Sequence, residues 1–343
     1  MRSMIFSRCT NAIKRLRPIL SPIGLVMLFV LLCSHDLFIH MDSYFVQPHK
    51  TALLSLYNGS FEASENTIAR DRMIDASVTA HGIRVAVTPD QWKDRDSTCT
   101  QLVFNTGDAG TYVVGVSTKA RNIELSAEKF NSYLEHDGIL DMLERRTQNG
   151  DLEQDAIESY QKHVKAIYQV GQSRTDDWST ELGYPIEFIP LQNPYSKYIG
   201  DSIQVQLRMS GEPLAKQLVY ADYIQSDSHT HGKHSHEHTH GEESHTHTSG
   251  QQLRTDDRGV VNVSLPVEGR YYLRTIHMVQ ADDDAELTHR SKWATLTFEV
   301  GHEHGAGAHV HEHDEGGGIP TWVFVLGSFL IVGILFVIFS SKK

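Results

Sequence analysis

The chain has 343 residues, 31 Lys and Arg against 43 Asp and Glu, and a formal net charge of −12. That length allows two domains with accessory segments, and the acidic excess argues against nucleic acid as a partner and for attraction of cations. Cys9, Cys33 and Cys99 are too few to build a disulfide scaffold.

At the N-terminus Arg2, Arg8, Lys14, Arg15 and Arg17 precede the apolar run ILSPIGLVMLFVLLCS. A basic region, an apolar core and a small residue at Ser34 read as a secretory signal peptide over residues 1–34, cut before His35. Only Cys99 would then remain, so packed sheets must hold the exported body together. Over residues 35–125 the runs LFIHMDSYFV, TALLSLYNGSF, DASVTAHGIRVAV and QLVFNTGDAGTYVVGVST alternate or are β-branched. Asn58-Gly59 and Thr106-Gly107-Asp108 supply turn chemistry between them, and the pattern predicts a first β-sandwich domain.

The period lengthens over residues 126–170, which predicts a helical insertion. Ser126 is the expected N-cap, with Phe130, Tyr133 and Leu134 on one face, and Ile139, Leu140, Met142 and Leu143 continue the pattern. Ile157, Tyr160, Val164 and Ile167 form the stripe of a further helix expected from Leu152 to Tyr168. A polar linker, 171–184, leads to a second β-sandwich domain over 185–300. Its six strand-like runs are IEFIPL, SIQVQLRM, KQLVYADYI, GVVNVSLP, RYYLRTIHMV and WATLTFEV, which suits an immunoglobulin-like or transthyretin-like sandwich.

Two histidine tracts interrupt and follow this second domain. The first, in the loop 226–250, carries His229, His231, His234, His236, His238, His240, His245 and His247. The second carries His302, His304, His309, His311 and His313 in a His- and Gly-rich linker, 301–318. Together they hold thirteen of the 21 histidines, so the enrichment is local and not a property of the whole composition. Neither tract has the apolar residues to build a core. Imidazole is a good ligand for Ni²⁺, Co²⁺, Zn²⁺ and Cu²⁺, and many such groups in one polar segment give several exchanging, pH-dependent coordination modes. Residues 319–340, IPTWVFVLGSFLIVGILFVIFS, contain no charge and are long enough for a transmembrane helix, which leaves 341–343 as a cytoplasmic tail. The fold class is thus mainly β: two β-sandwich domains with a helical insertion and one C-terminal transmembrane helix. The expected location is the cell envelope, as a single-pass inner-membrane protein with its body facing the periplasm or exterior.

The succession HDLFIHMDSYFVQP, YVVGVSTKARNIELSAEKFNSYL, SYQKHVKAIYQVG, GYPIEFIPLQNPY, TDDRGVVNVSLP and YYLRTIHMV resembles the nickel-uptake substrate-specific, NikM-like periplasmic domain family of bacteria. The resemblance covers residues 35–300. It implies capture of nickel or cobalt beside membrane metal-transport components, although one span cannot itself form an ion pathway. The family pattern begins with a His-Asp pair after the signal, here His35 and Asp36. Cleavage after Ser34 would let the new α-amine and the His35 imidazole chelate one ion, with His277 as first choice for the further ligand and His40 as second.

No His-Glu-x-x-His, P-loop or Gly-x-Ser-x-Gly motif is present, and the chain is not read as an enzyme. The expected function is a membrane-anchored envelope protein that captures divalent transition metal, nickel or cobalt by resemblance, and supplies a transport system. The alternatives are a periplasmic zinc or copper buffer, a copper enzyme with an N-terminal histidine brace, and a structural or adhesion module that binds no metal.

Overall fold

Residues 36–225 and 250–301 are described by the computed structural model. The first stretch runs through β1 (Asp36–His40), β2 (Phe45–Val46), β3 (Thr51–Gly59), β4 (Ser64–Asn66) and β5 (Met73–Ala80). It continues with β6 (Ile83–Ala86), β7 (Trp92–Arg95), β8 (Cys99–Asn105), β9 (Gly110–Thr118) and β10 (Arg121–Leu125). Two helices follow, α1 (Ala127–His136) and α2 (Leu140–Asn149). After them come β11 (Ala156–Val170), β12 (Ile186–Pro190), β13 (Ser202–Met209), β14 (Glu212–Pro213) and β15 (Leu218–Gln225). The last strands are β16 (Gln251–Arg254), β17 (Val260–Ser264), β18 (Gly269–Gln280) and β19 (His289–Val300).

A ten-stranded sheet in the order β16-β15-β18-β19-β11-β9-β5-β6, with β10 and β2 also paired to β11, forms the middle layer. The sheet β1-β3-β8-β7 with β4, and the sheet β12-β13-β14 with β17, lie on either side. Alternation fixes which face meets which partner. The Thr295 and Thr297 hydroxyls of β19 donate to Leu37 O and Ile39 O of β1, at 2.9 and 2.7 Å. These bonds satisfy carbonyls on the edge of β1 that no strand pairs. On the opposite face, Lys165 of β11 donates to Phe188 O of β12 at 3.0 Å and pairs with Glu187 at 2.7 Å. Both charges are buried, and Glu187 also accepts the Leu182 and Gly183 N–H groups, so the pair is hydrogen-bonded on every side that matters. The architecture is mainly β and sandwich-like.

The strands expected in two separate sandwiches share this middle sheet. Strand β11 runs parallel to β19 from Glu158↔His289 to Ala166↔Thr297, and its last residues pair with β9. The expected helix over 152–168 is therefore wrong: those residues are mostly β11. Its C-terminal half is buried on both faces and mixes Val164, Ala166, Ile167 and Val170 with the buried polar Lys162, His163, Lys165 and Gln169, so alternation is lost and a helical stripe can be traced by accident. The β-branched and aromatic Ile157, Tyr160, Val164, Ile167, Tyr168 and Val170 suit a central strand.

The helical insertion narrows to α1 and α2. Ser126 stands at the N-cap position of α1, but its side chain makes no capping bond; Asp155 accepts the Ala127 N–H at 2.8 Å instead. Gly150 ends α2 in the left-handed region, at φ 77°. Phe130, Leu134, Ile139 and Met142 pack on Ile276, Met278 and Trp293 of the sheet as a second apolar cluster. The Asn58-Gly59 pair is also shifted from its expected role. It lies at an irregularity in the β3–β4 pairing, and the turn itself is made by Ser60–Ala63, whose ends are joined by a 3.0 Å backbone bond. Among the described residues no helix is long and apolar enough to cross a membrane, and the expected signal and span lie outside them.

Candidate functional site

The strand register decides where both histidine tracts attach. Gln225, the last residue of β15, pairs with Gly269, the first residue of β18, and Gly269 pairs on its other side with Val300, the last residue of β19. The three lie in one row across the sheet. With strands spaced ~4.8 Å apart, Gln225 and Val300 are roughly 10 Å apart. In sequence the first tract lies between Gln225 and Gly250, and Gly250 sits beside Ala221 and Asp222; the second tract follows Gly301. Both therefore spring from the same end of the middle sheet, one strand apart. His229, His231, His234, His236, His238, His240, His245, His247, His302, His304, His309, His311 and His313 themselves lie outside the described residues, as does His35.

The histidines of the body have other employment. His40 is buried, stacked on Tyr57 with ring centroids 4.4 Å apart, and its Nε2 accepts from Arg270 Nη1 at 2.8 Å. A guanidinium can only donate, so the Nε2 lone pair is taken. Burial and then the Arg270 charge push its pKa down to about 4. His163 is buried with Nδ1 2.9 Å from Ser117 Oγ, and burial, helped by Lys292, lowers it to about 3. His289 is buried beside Phe130 with Nδ1 2.7 Å from Thr288 Oγ1, and burial and Arg146 lower it to about 4. His49 and His81 occupy turn positions at φ 56° and 52°. His136 is a helix-end residue near Asp137.

His277 differs. Its Nδ1 is 2.8 Å from Gln217 Oε1, while the Gln217 amide nitrogen donates to Thr275 Oγ1 at 3.0 Å and to Ile276 O at 3.2 Å. These bonds orient the amide, so the imidazole donates from Nδ1 and keeps its lone pair on Nε2, the tautomer that an outer-shell partner gives a metal ligand. Its pKa is lowered by burial and by the Arg145 charge. The surroundings do not complete a site. Lys292 is its cross-strand neighbour, and among the described residues no group of three His, Cys, Asp or Glu is placed to hold a metal ion. Residues 274 and 277 of one strand face opposite sides, and Arg274 is the residue that holds Asp36. His277 and the beginning of β1 are thus on opposite faces of the sheet.

Sequence reasoning missed what Asp36 does. Its Oδ2 lies 2.8 Å from Arg274 Nε, with both side chains 2% exposed. Arg274 Nη2 donates to Asp137 O at the end of α1, at 3.1 Å, and its guanidinium covers the Tyr220 ring. Nearby, Glu158 accepts from Tyr133 OH at 3.2 Å and from Ser291 Oγ, which in turn accepts the Trp293 indole N–H at 3.0 Å. Lys162 is buried over the Trp293 ring, its Nζ 4.8 Å from the centroid. Burial pushes Glu158 up to about 7 and Lys162 down to about 8. This interior group ties β1, α1, β11, β18 and β19 together where the five-stranded sheet gives way to the helices. The acidic turn at Asp282-Asp283-Asp284 is likewise structural: Arg290 pairs with Asp283 and Asp284, and Asp284 accepts the Glu286 N–H at 2.9 Å.

Known proteins add a family and little else. No curated protein matches the chain. Among solved structures it is similar to the D0-D1 domain of intimin, with 10% identity, a TM-score of 0.17, and coverage of 77% of this chain and 97% of that one. It is also similar to an Escherichia coli alpha-2-macroglobulin activated by porcine elastase, with 10% identity, a TM-score of 0.20, and coverage of 77% of this chain and 20% of that one. A Bacteroides ovatus glucan-utilisation protein, SGBP-B, gives 8% identity, a TM-score of 0.16, and coverage of 77% and 46%. Superpositions this loose carry no functional argument. The family model described as a domain of unknown function, DUF4198, matches residues 32–279, most of the chain, and the protein belongs to that family.

Proposed function

We propose that this protein is a membrane-anchored envelope protein that captures divalent transition metal, nickel or cobalt by the resemblance described above, on its two histidine tracts and supplies it to membrane transport components. The observation that carries this reading is the row Gln225–Gly269–Val300, which roots both tracts at one end of a hydrogen-bonded sheet. Segments anchored that close share a volume, so each raises the effective concentration of imidazole seen by a metal ion held on the other. The body supports the reading by contrast: His40, His163 and His289 are buried and kept neutral, and among the described residues His277 belongs to no group of three His, Cys, Asp or Glu that could hold a metal ion. In free competition the stability order of first-row divalent ions at imidazole favours Cu²⁺, so the ion carried depends on supply as well as on the tract.

The test is a set of four full-length chains: unaltered, lacking residues 226–249, with His302, His304, His309, His311 and His313 replaced by Ser, and with both changes. Each is titrated calorimetrically with Ni²⁺, Co²⁺, Zn²⁺ and Cu²⁺ at pH 7.5. Joint capture predicts that the two single changes do not add, because each also deprives the remaining tract of imidazoles with which it shares ions. Four indistinguishable titrations would end the proposal.

A further inference from the structure

We propose that the end of the body bearing the tracts also rests on a lipid surface, through an apolar patch of Phe45, Tyr198, Ile199 and Leu191. The proposal builds on membrane anchoring through residues 319–340. The patch surrounds the point where the described chain ends: Tyr198 forms a parallel bridge with Gly301, and the Phe45 ring lies against Gly301, where a Cβ would meet Cζ at 3.6 Å. Phe45 also meets Tyr195 edge to face, with centroids 5.0 Å apart, which holds its ring outward from β2. Leu191 follows β12 at the same end of the body, its N–H bonded to Gln204 O near the start of β13. Phe45, Leu191 and Ile199 are 45%, 41% and 39% exposed, well outside the range of a core side chain.

The occupant follows from the chain itself. Residues 302–318 separate Gly301 from the apolar run that begins at Ile319, and a chain of that length spans at most about 60 Å even when fully extended. By continuity this patch is the part of the body closest along the chain to the anchor. Its chemistry suits the interfacial zone of a bilayer, which takes aromatic rings at headgroup level and aliphatic side chains just beneath. Lys197 adjoins Tyr198, and Arg174 reaches the same loop by donating to Ser196 Oγ at 3.3 Å, giving cations for anionic headgroups. Asp201 in this loop accepts the Tyr198 N–H at 3.0 Å. The consequence is an orientation: the tract-bearing end faces the membrane, where a transport component would receive the metal.

Val279 provides the matched control. It is also 39% exposed and apolar, but sits ten positions from Gly269 at the far end of β18. Full-length Ile199→Cys, Phe45→Cys and Val279→Cys chains with Cys9 and Cys33 replaced by Ser are labelled with an environment-sensitive fluorophore, Cys99 being buried. They are reconstituted in phosphatidylethanolamine–phosphatidylglycerol vesicles carrying a nitroxide headgroup lipid. The expected result is a blue-shifted emission and about twofold stronger quenching at positions 45 and 199 than at 279. Equal quenching at all three positions, in chains that float with the vesicles, overturns the lipid contact while leaving anchoring intact. Failure to float overturns both. A blue shift at 199 that depends on protein concentration and not on nitroxide means that a second copy covers the patch, which also overturns the proposal.

Discussion

The histidines of the body and those of the tracts stand in opposite sequence settings. In the body, His40, His163 and His289 are buried, and burial together with neighbouring cations keeps them neutral. Their rings are packing pieces that also accept or donate one hydrogen bond. In the tracts, thirteen histidines lie in sequence with too few apolar residues to bury them, so a free imidazole there is expected to titrate at about 6.5, and in the proposed function its lone pair takes a metal ion. The contrast teaches that a count of histidines says little until each is assigned to a strand or to a core-less segment. Stability should therefore depend on the body alone and metal uptake on the tracts alone.

The strongest way to break this comparison is at the interior ion pair. Arg274→Met leaves Asp36 buried without its guanidinium, and the expected cost is about 3–5 kcal/mol in urea unfolding. Metal stoichiometry of the folded variant should not change. A loss of metal sites in step with stability would merge the two regions that the account separates.

Acid sharpens the contrast because the two populations respond over different ranges. His40, His163 and His289 have folded pKa values of about 4, 3 and 4, below the ordinary 6.5, so the unfolded chain binds more protons between those limits. Their contribution to stability is present above pH 6.5 and is lost as pH falls through the folded values, each group adding a slope of up to about 1.4 kcal/mol per pH unit. Glu158 acts with the opposite sign: raised from 4.5 to about 7, it lets the folded state bind more protons, so stability declines as pH rises across that interval. Unfolding measured from pH 4 to 8 should show the net histidine slope below pH 6.5, and His163→Asn should flatten it by about one group's share. Metal uptake should instead fall with a midpoint near ~6.5, as free imidazoles protonate.

Smaller effects follow. Thr297→Val removes the hydroxyl that serves Ile39 O on the edge of β1, and about 1 kcal/mol of stability should go with it. His277→Ala should leave Ni²⁺ stoichiometry unchanged, because among the described residues His277 belongs to no group of three His, Cys, Asp or Glu that could hold a metal ion. A lost equivalent would locate an ordered metal site in the body.

What could be read in the sequence follows the range of the interactions involved. The alternating run that became β13 was legible, since one face is buried and the period of two survives. Strand β11 could not be read, because burial on both faces erases alternation and leaves Lys162, His163, Lys165 and Gln169 looking like the polar face of a helix. Nor could Asp36, whose partner Arg274 lies at the other end of the chain and is brought to it only by the packing of β1 on β18 and β19. The tracts were legible by composition, but their common root was not. It depends on the pairing of Gly269 with two strands at once, a register that no local pattern encodes.

The most direct measurement is a calorimetric Ni²⁺ titration at pH 7.5 of full-length chain in which all thirteen tract histidines are replaced by Ser. The seven histidines of the described body are retained, and the fold is checked by an unchanged urea midpoint. The account predicts that uptake disappears while stability stays the same. Ni²⁺ bound with undiminished stoichiometry would contradict it and place the metal in the body.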